Sequence, residues 1–190
     1  MSLSILLLCL IVSISSGTTE IAPSKIYAAI AAFDGSREHV IVRTVRLPRS
    51  LLAILVGAAL AVAGALMQGL TRNPLAEPGI LGLESGASLA VVIAILFFDR
   101  ASFSAYAGFA FLGAAVSAVV VYSLGSLGRG GLTPLNLTVA GAAMTYLLSS
   151  FTTAILILSQ RTLDEVRLWL AGSVAGGDWS GFSQALPYIS

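Results

Sequence analysis

Histidine and cysteine each occur once in this 190-residue chain, as His39 and Cys9, and charged side chains make up only 10% of it. Single copies exclude a disulfide framework, a CxxC redox pair and a His- or Cys-rich metal centre, so no metal-binding residue is expected. Ten Lys and Arg against nine Asp and Glu leave a net charge of +1. That excludes the broad basic patch of a nucleic-acid binder. A soluble domain carries about 25% charged residues, so the scarcity of charge is itself anomalous. GxxxxGK[ST], GxSxG and HExxH are all missing, and with them the phosphate loop, the serine nucleophile and the zinc-protease helix. The Gly-rich run 125–131 lacks the lysine and the preceding strand, and reads as a flexible turn. Without an assembled catalytic set, transport or scaffolding is favoured over an enzyme.

What the chain has is apolar length. Hydrophobic residues make up 57%, and the mean hydropathy is +0.95. A helix crossing the ~30 Å hydrocarbon layer needs about 20 apolar residues. Charge-poor runs at 2–16, 50–70, 79–98, 102–127 and 135–159 predict five spans, and a sixth begins near Gly181 as the chain reaches Ser190. The expected fold is all-α: one polytopic transmembrane helix bundle over residues 1–190, with five full spans and the start of a sixth. The first run has no basic flank and no clear cleavage site, so it reads as a span, not a signal peptide.

The connections carry the polar chemistry. Segment 17–49 holds Lys25, Arg37, Arg43, Arg46 and Arg49. Within it, Ile26, Tyr27, Ile30 and Phe33 share one helical face over 24–33 and suggest a short helix lying on the membrane. Asn73-Pro74 and Glu77-Pro78 break the chain after the second span. Asp99–Ala101 is a tight turn, and 125–134 is a Gly-rich connection carrying Arg129. In 160–180, Thr162 and Glu165 have capping-box spacing, Arg161 and Glu165 can pair at i,i+4, and Leu163, Val166 and Leu170 form an apolar side. Trp169 and Trp179 suit interfacial depth, and Gly176-Gly177 breaks the segment.

Close helix packing in lipid needs small residues. Gly57, Ala61, Ala65 and Gly69 recur every fourth residue in the second span, and Gly82, Gly86, Ala90 and Ala94 in the third. Gly141, Thr145 and Ser149 do so in the fifth. The two full stripes predict a close-packed bundle with spans two and three at its centre. Glu84, early in the third span, has two readings, an intramembrane functional group or a solvated interfacial carboxylate, and the second is preferred. Cys9 is expected to pack in span one, and His39 to face solvent from a loop.

The densest stretch is RLPRSLLAILVGAALAVAGALMQGLTRNPLAEPGILGLESGA, from Arg46 to Ala87. Its RLPR, GAALAVAGALMQ, RNPLAEPGILG and SGA motifs stand in order. They resemble the permease family of bacterial ABC importers for ferric siderophores, haem and cobalamin, the FecCD and cobalamin-permease type. Ala140-Gly141 and Trp169-Leu170-Ala171-Gly172-Ser173 with Trp179 look like later landmarks of that family. Members are about twice as long, so the chain resembles an N-terminal half.

The resemblance implies a multi-pass permease subunit in the bacterial inner membrane. It would not be an enzyme, and this chain would bind no cofactor. Its partners would be a second permease subunit, as homo- or heterodimer, cytoplasmic ATPase subunits that carry the ATP, and a periplasmic substrate-binding protein. The cargo expected first is a ferric siderophore, with haem or cobalamin behind, and any metal would arrive chelated. Arg46 and Arg49 would meet acidic residues of the binding protein; the residues alone read as snorkelling anchors of the span. Asn73, Pro74 and Leu75 would belong to the cytoplasmic gate, with Thr133, Pro134 and Leu135 as its partner turn or an ordinary loop. Gln68 would line the path or bond a neighbouring helix. The family topology places segments 17–49 and 160–180 outside. Counting Lys and Arg chooses the opposite orientation, because only Arg72 and Arg129 fall on the other side. The alternative function is a truncated, non-transporting remnant of such a permease.

Overall fold

The computed structural model describes residues 2–17, 19–74, 76–98, 102–127, 131–174 and 177–189. All regular structure among them is helical. Leu75, Asp99–Ala101, Arg129 and Gly176 fall outside the described residues, and with them the Asp99–Ala101 turn and parts of the gate and Gly-pair readings. The helices are α1 (Ser2–Ser15), α2 (Pro23–Ala31), α3 (Arg37–Ile41), α4 (Leu47–Thr71), α5 (Leu83–Phe97), α6 (Phe103–Ser126), α7 (Pro134–Leu158), α8 (Gln160–Leu170) and α9 (Trp179–Ile189). A π turn, Val42–Arg46, joins α3 to α4, and a 3-10 turn, Pro78–Leu81, precedes α5. Among the described residues three helices are long and apolar enough to cross a membrane: the continuous Arg37–Thr71 stretch, α6 and α7. α1 and α5 are apolar but shorter.

Contacts divide the chain into two compact units, residues 1–59 with 174–190 and residues 60–173, so the division falls inside α4. In the first unit Ile14, Ile21, Ala29 and Val42 make the core, and Ile26 packs against it. The expected apolar face of the short helix is therefore revised. Ile26 and Ala29 turn inward, whereas Tyr27 and Ile30 are exposed and Phe33 lies beyond the helix end.

The second span's helix does not start with the charge-poor run at Ser50; its helical path begins at Arg37, upstream of Pro48. Proline inside a helix removes one N–H and crowds the preceding turn. The wider π register just before Pro48 makes room for the ring: the Leu47 N–H reaches back five residues to the Val42 carbonyl. His39 consequently sits in a helix and is buried, not solvent-facing. Its Nδ1 lies 2.8 Å from Asp34 Oδ1. The Ser36 backbone N–H, first, and the Ser36 side chain hold the Asp34 carboxyl below the usual carboxylate range.

In the second unit α5 and α6 cross where Gly86 meets Gly113, so closely that a Cβ on either would strike the other's backbone. This is the approach that lipid-embedded helices need in the absence of a hydrophobic drive. The third span is not one straight helix. Pro78 opens a 3-10 turn, and Gly82 ends it in the left-handed region at φ 67° before α5 begins. The Ser117 hydroxyl, buried on α6, donates to the Gly82 carbonyl at 2.8 Å. Thus Gly82 is both the hinge between two helical pieces and a close-packing position, where a Cβ would come within 3.1 Å of Ser117 Oγ and 3.6 Å of Met144 Cβ. Val91, Val92 and Ile95 of α5 bury Val166 of α8, which gives α8 its inner face.

The start of α8 also differs from expectation. Ser159, not Thr162, is the N-cap: its hydroxyl accepts the Thr162 N–H at 3.3 Å and lies 2.8 Å from the Thr162 hydroxyl. Arg161 and Glu165 do pair, at 3.2 Å. Ser159→Ala is expected to cost about 1 kcal/mol and to fray the first turn of α8, read as faster amide exchange there. Unchanged exchange would contradict the cap.

Candidate functional site

Arg46 and Arg49 lie three apart, yet the π turn gives them different fates. Arg49 is exposed. Arg46 is only 8% exposed, and its guanidinium closes the C-terminus of α1. Nη1 donates to the carbonyls of Ile14 at 2.8 Å and Ser15 at 2.9 Å, and Nη2 donates to that of Thr19. The last carbonyls of a helix lack internal partners and carry its negative end, so a guanidinium fork satisfies both needs. Gly17 leaves the room: a Cβ there would come within 2.7 Å of Arg46 Nη2. The expectation that both arginines present one surface is therefore corrected. Arg46 is a structural cap, and Arg49 is the exposed cation of the pair.

Arg43, one turn earlier, does the same for α2. Its Nε donates to the Ala29 carbonyl at 2.7 Å and its Nη2 to the Ile30 carbonyl at 2.9 Å, while the guanidinium stacks over Phe33 at 4.7 Å. The sequence reading missed this residue, although 43, 46 and 49 form a period-three series. Trp179 Nε1 donates to the Arg43 carbonyl at 2.8 Å. Ser13 and Ser50 pair hydroxyl to hydroxyl at 2.8 Å, above an apolar groove of about 440 Å³ between α1 and the start of α4. Cys9, expected to pack, lines that groove and is exposed.

At the far end of α4, Arg72 adopts a left-handed φ of 50°, and the Asn73 N–H returns to the Gln68 carbonyl at 3.3 Å. That is a Schellman closure with arginine where glycine is usual, followed by Pro74. The Ala76 N–H donates to the Asn73 carbonyl at 3.1 Å, which shapes the turn. Across from it, Thr133 caps α7 by accepting the Asn136 N–H at 3.1 Å, and Pro134 takes the first helical position. Asn73 and Pro134 line one narrow crevice with Thr71, Glu77, Ile80 and Thr138. The two Pro-containing turns, 60 positions apart in sequence, are thereby brought together. Gln68, Pro74 and Leu135 are exposed, and Leu75 lies outside the described residues.

A larger apolar groove of about 500 Å³ adjoins the crevice, sharing Met67, Thr71, Leu81 and Leu137, with Tyr122 and Ser123 on its wall. The 3-10 turn that shapes the crevice rests on α7 at Gly141, where a Cβ would strike the Ile80 carbonyl. Glu84 is exposed in the first turn of α5, whose free amides favour a carboxylate.

Of the small-residue positions, Gly86 is in tight contact, and so is Gly113, which sequence reasoning passed over although Gly113 and Ser117 are four apart. The stripe on α4 is not used this way among the described residues. A Cβ on Gly57 or Gly69 would meet open space, and Ala61 and Ala65 are exposed. No three His, Cys, Asp or Glu side chains gather into a metal-holding group among the described residues. The first unit thus offers an exposed cation at Arg49, and the second a pair of juxtaposed turns beside an apolar groove.

Comparison with known proteins gives a consistent result. The profile of the FecCD transport family matches residues 5–190. A Bacillus subtilis protein assigned as permease of a siderophore transport system is 47% identical over 186 residues, which cover 98% of this chain and 56% of that protein. The iron(3+)-hydroxamate import system permease of the same organism is 46% identical over 178 residues, 92% of this chain and 46% of the relative. The ferric enterobactin transport system permease of Escherichia coli is 40% identical over 172 residues, 90% of this chain and 52% of the relative. A solved chain assigned to the metal-chelate type of ABC transporter, in an inward-facing conformation, superposes with a TM-score of 0.69 at 28% identity. That superposition covers 95% of this chain and 55% of the solved one. The chain thus spans about half the length of the relatives it matches.

Proposed function

The chain belongs to the FecCD transport family, and from that premise we propose that it is a permease subunit of a binding-protein-dependent ABC importer for iron chelates. Ferric siderophores are the first cargo, because the relatives' assignments name siderophore, hydroxamate and enterobactin systems. The observation that carries the reading is the family match across 5–190, nearly the whole chain. The partners follow from the same premise: a cytoplasmic ATPase pair, a periplasmic binding protein and a second permease subunit. Five spans and the start of a sixth remain the proposed membrane topology.

The crevice between the Asn73-Pro74 and Thr133-Pro134 turns supports a gate. Irregular backbone at membrane depth is tolerated where it lines a cavity, and both turns carry their own capping bonds. The open face at Ala61, Ala65 and Gly69 would be a close-approach surface for a further helix, supplied by the additional length such relatives have or by the second subunit.

The family orientation, with 17–49 outside, gains support from how the basic residues are spent. Arg43 and Arg46 cap helices, and Lys25 pairs with Glu38 at 2.6 Å. Arg161 pairs with Glu165, and Arg167 lies 3.9 Å from Asp164. Arg37 and Arg49 stay exposed, and Arg49, at the start of the long span, would steer an acidic partner to the rim. Arg49→Glu is expected to weaken docking of the cognate binding protein by roughly tenfold or more, with thermal stability in detergent unchanged. Parental affinity in that variant would remove Arg49 from the docking surface.

A further inference from the structure

The π turn creates an acceptor and a distant tryptophan fills it. In the five-residue register set by the Leu47 N–H on the Val42 carbonyl, the next bond would run from the N–H of residue 48 to the Arg43 carbonyl. Residue 48 is proline and has no N–H. The Arg43 carbonyl is thereby left without an N–H partner in that register and is open to a donor from elsewhere. Trp179 Nε1 supplies it at 2.8 Å, from 136 residues away in the chain.

The same segment touches the docking rim. Gly177, two residues before Trp179, lies against α4 so that a Cβ there would sit 3.8 Å from Arg49 Cα and 3.2 Å from Leu52 Cδ2. The Trp179 indole is steadied in turn by Phe182, edge to face at 5.6 Å. Pinning Trp179 to the Arg43 carbonyl therefore fixes a strand of chain across the backbone that presents Arg49.

We propose that Trp179 is a positioning residue for docking, acting through the carbonyl that Pro48 leaves open to hold Arg49 in register for an acidic partner. This rests on the importer reading above. Trp179 itself makes no contact with the partner in this account. Its loss should lower affinity without altering the charge that the partner reads.

The experiment uses the full chain in detergent micelles and the cognate substrate-binding protein as probe. Trp179→Phe keeps the ring and removes the donor; docking is expected to weaken about tenfold, with the salt dependence of the dissociation constant unchanged. Arg49→Gln, by contrast, should flatten that salt dependence. In a Trp169→Phe background Trp179 is the single tryptophan. There Pro48→Ala, which restores an N–H to compete for the Arg43 carbonyl, should shift its emission to longer wavelength. Parental docking by Trp179→Phe overturns the positioning role alone, and so does an unshifted emission in Pro48→Ala. A salt dependence flattened by Trp179→Phe would make Trp179 part of the contact and overturn the role as well. Absence of docking by the parent chain overturns the importer reading together with this role.

Discussion

Replacing Arg46 by methionine is expected to destabilise the chain by about 3 kcal/mol, whereas Arg49→Met changes stability by less than about 0.5 kcal/mol. The two arginines differ in what each would leave behind. Removing Arg46, only 8% exposed, strands the carbonyls of Ile14 and Ser15 at the negative end of α1 and that of Thr19 beyond it. Charge-assisted bonds of this kind are stronger than neutral ones, and the vacated carbonyls cannot all find water. Arg46→Lys should recover only part of the loss, because an ammonium lacks the planar fork that reaches several carbonyls at once. Denaturant titration in detergent micelles, followed by circular dichroism, measures the difference. Equal losses for the two arginines would contradict the assignment of Arg46 as a cap.

The second large effect lies in the other unit. Gly141→Ala is expected to cost about 3 kcal/mol and to pry the 3-10 turn off α7, since the added methyl would strike the Ile80 carbonyl. Backbone cannot swing aside as a long side chain can, so the strain must go into moving Pro78–Leu81. That turn forms one wall of the crevice that joins the Asn73 and Pro134 turns. The same substitution at Gly57 or Gly69, where the Cβ meets open space, should be neutral or stabilise by up to about 1 kcal/mol through helix propensity. A cysteine cross-link between positions 73 and 138, formed in the parent background and lost in Gly141→Ala, would report the opened crevice. Equal stability of the Gly141 and Gly57 variants would refute the packing.

These contrasts show which features sequence patterns carry. Long apolar runs locate α4, α6 and α7 because hydropathy over twenty residues is set by composition alone. The fate of Arg46 was not legible in that way. Its burial depends on the π turn, which arises from a bond pattern around Pro48 and from the α1 carbonyls that happen to lie within reach. His39 was misplaced for the same reason: the helix starts upstream of the proline and carries the histidine inward. At α8 two overlapping cap patterns compete, Ser159 to Thr162 and Thr162 to Glu165. The first wins because Ser159 follows the end of α7 in an extended conformation, where its hydroxyl can face the next helix's free amides.

Small-residue spacing proved a weaker guide than contact geometry. Gly57 and Gly69 and the Gly86 position satisfy the same four-residue rule, yet Gly86 alone among these three lies in a tight crossing within the described residues. The rule identifies faces capable of close approach, and it cannot say which of them this stretch of chain covers. Gly82 shows a further limit: the positive φ that makes it a hinge is a property of the backbone path after Pro78, invisible to a count of small side chains.

The most direct test of the importer reading is uptake of a radiolabelled ferric siderophore into proteoliposomes that hold this chain with its cognate ATPase, binding protein outside and ATP inside. The account predicts accumulation that requires both ATP and the binding protein and that falls with Arg49→Glu. Absence of accumulation in the fully assembled system, or accumulation indifferent to ATP and binding protein, would contradict it.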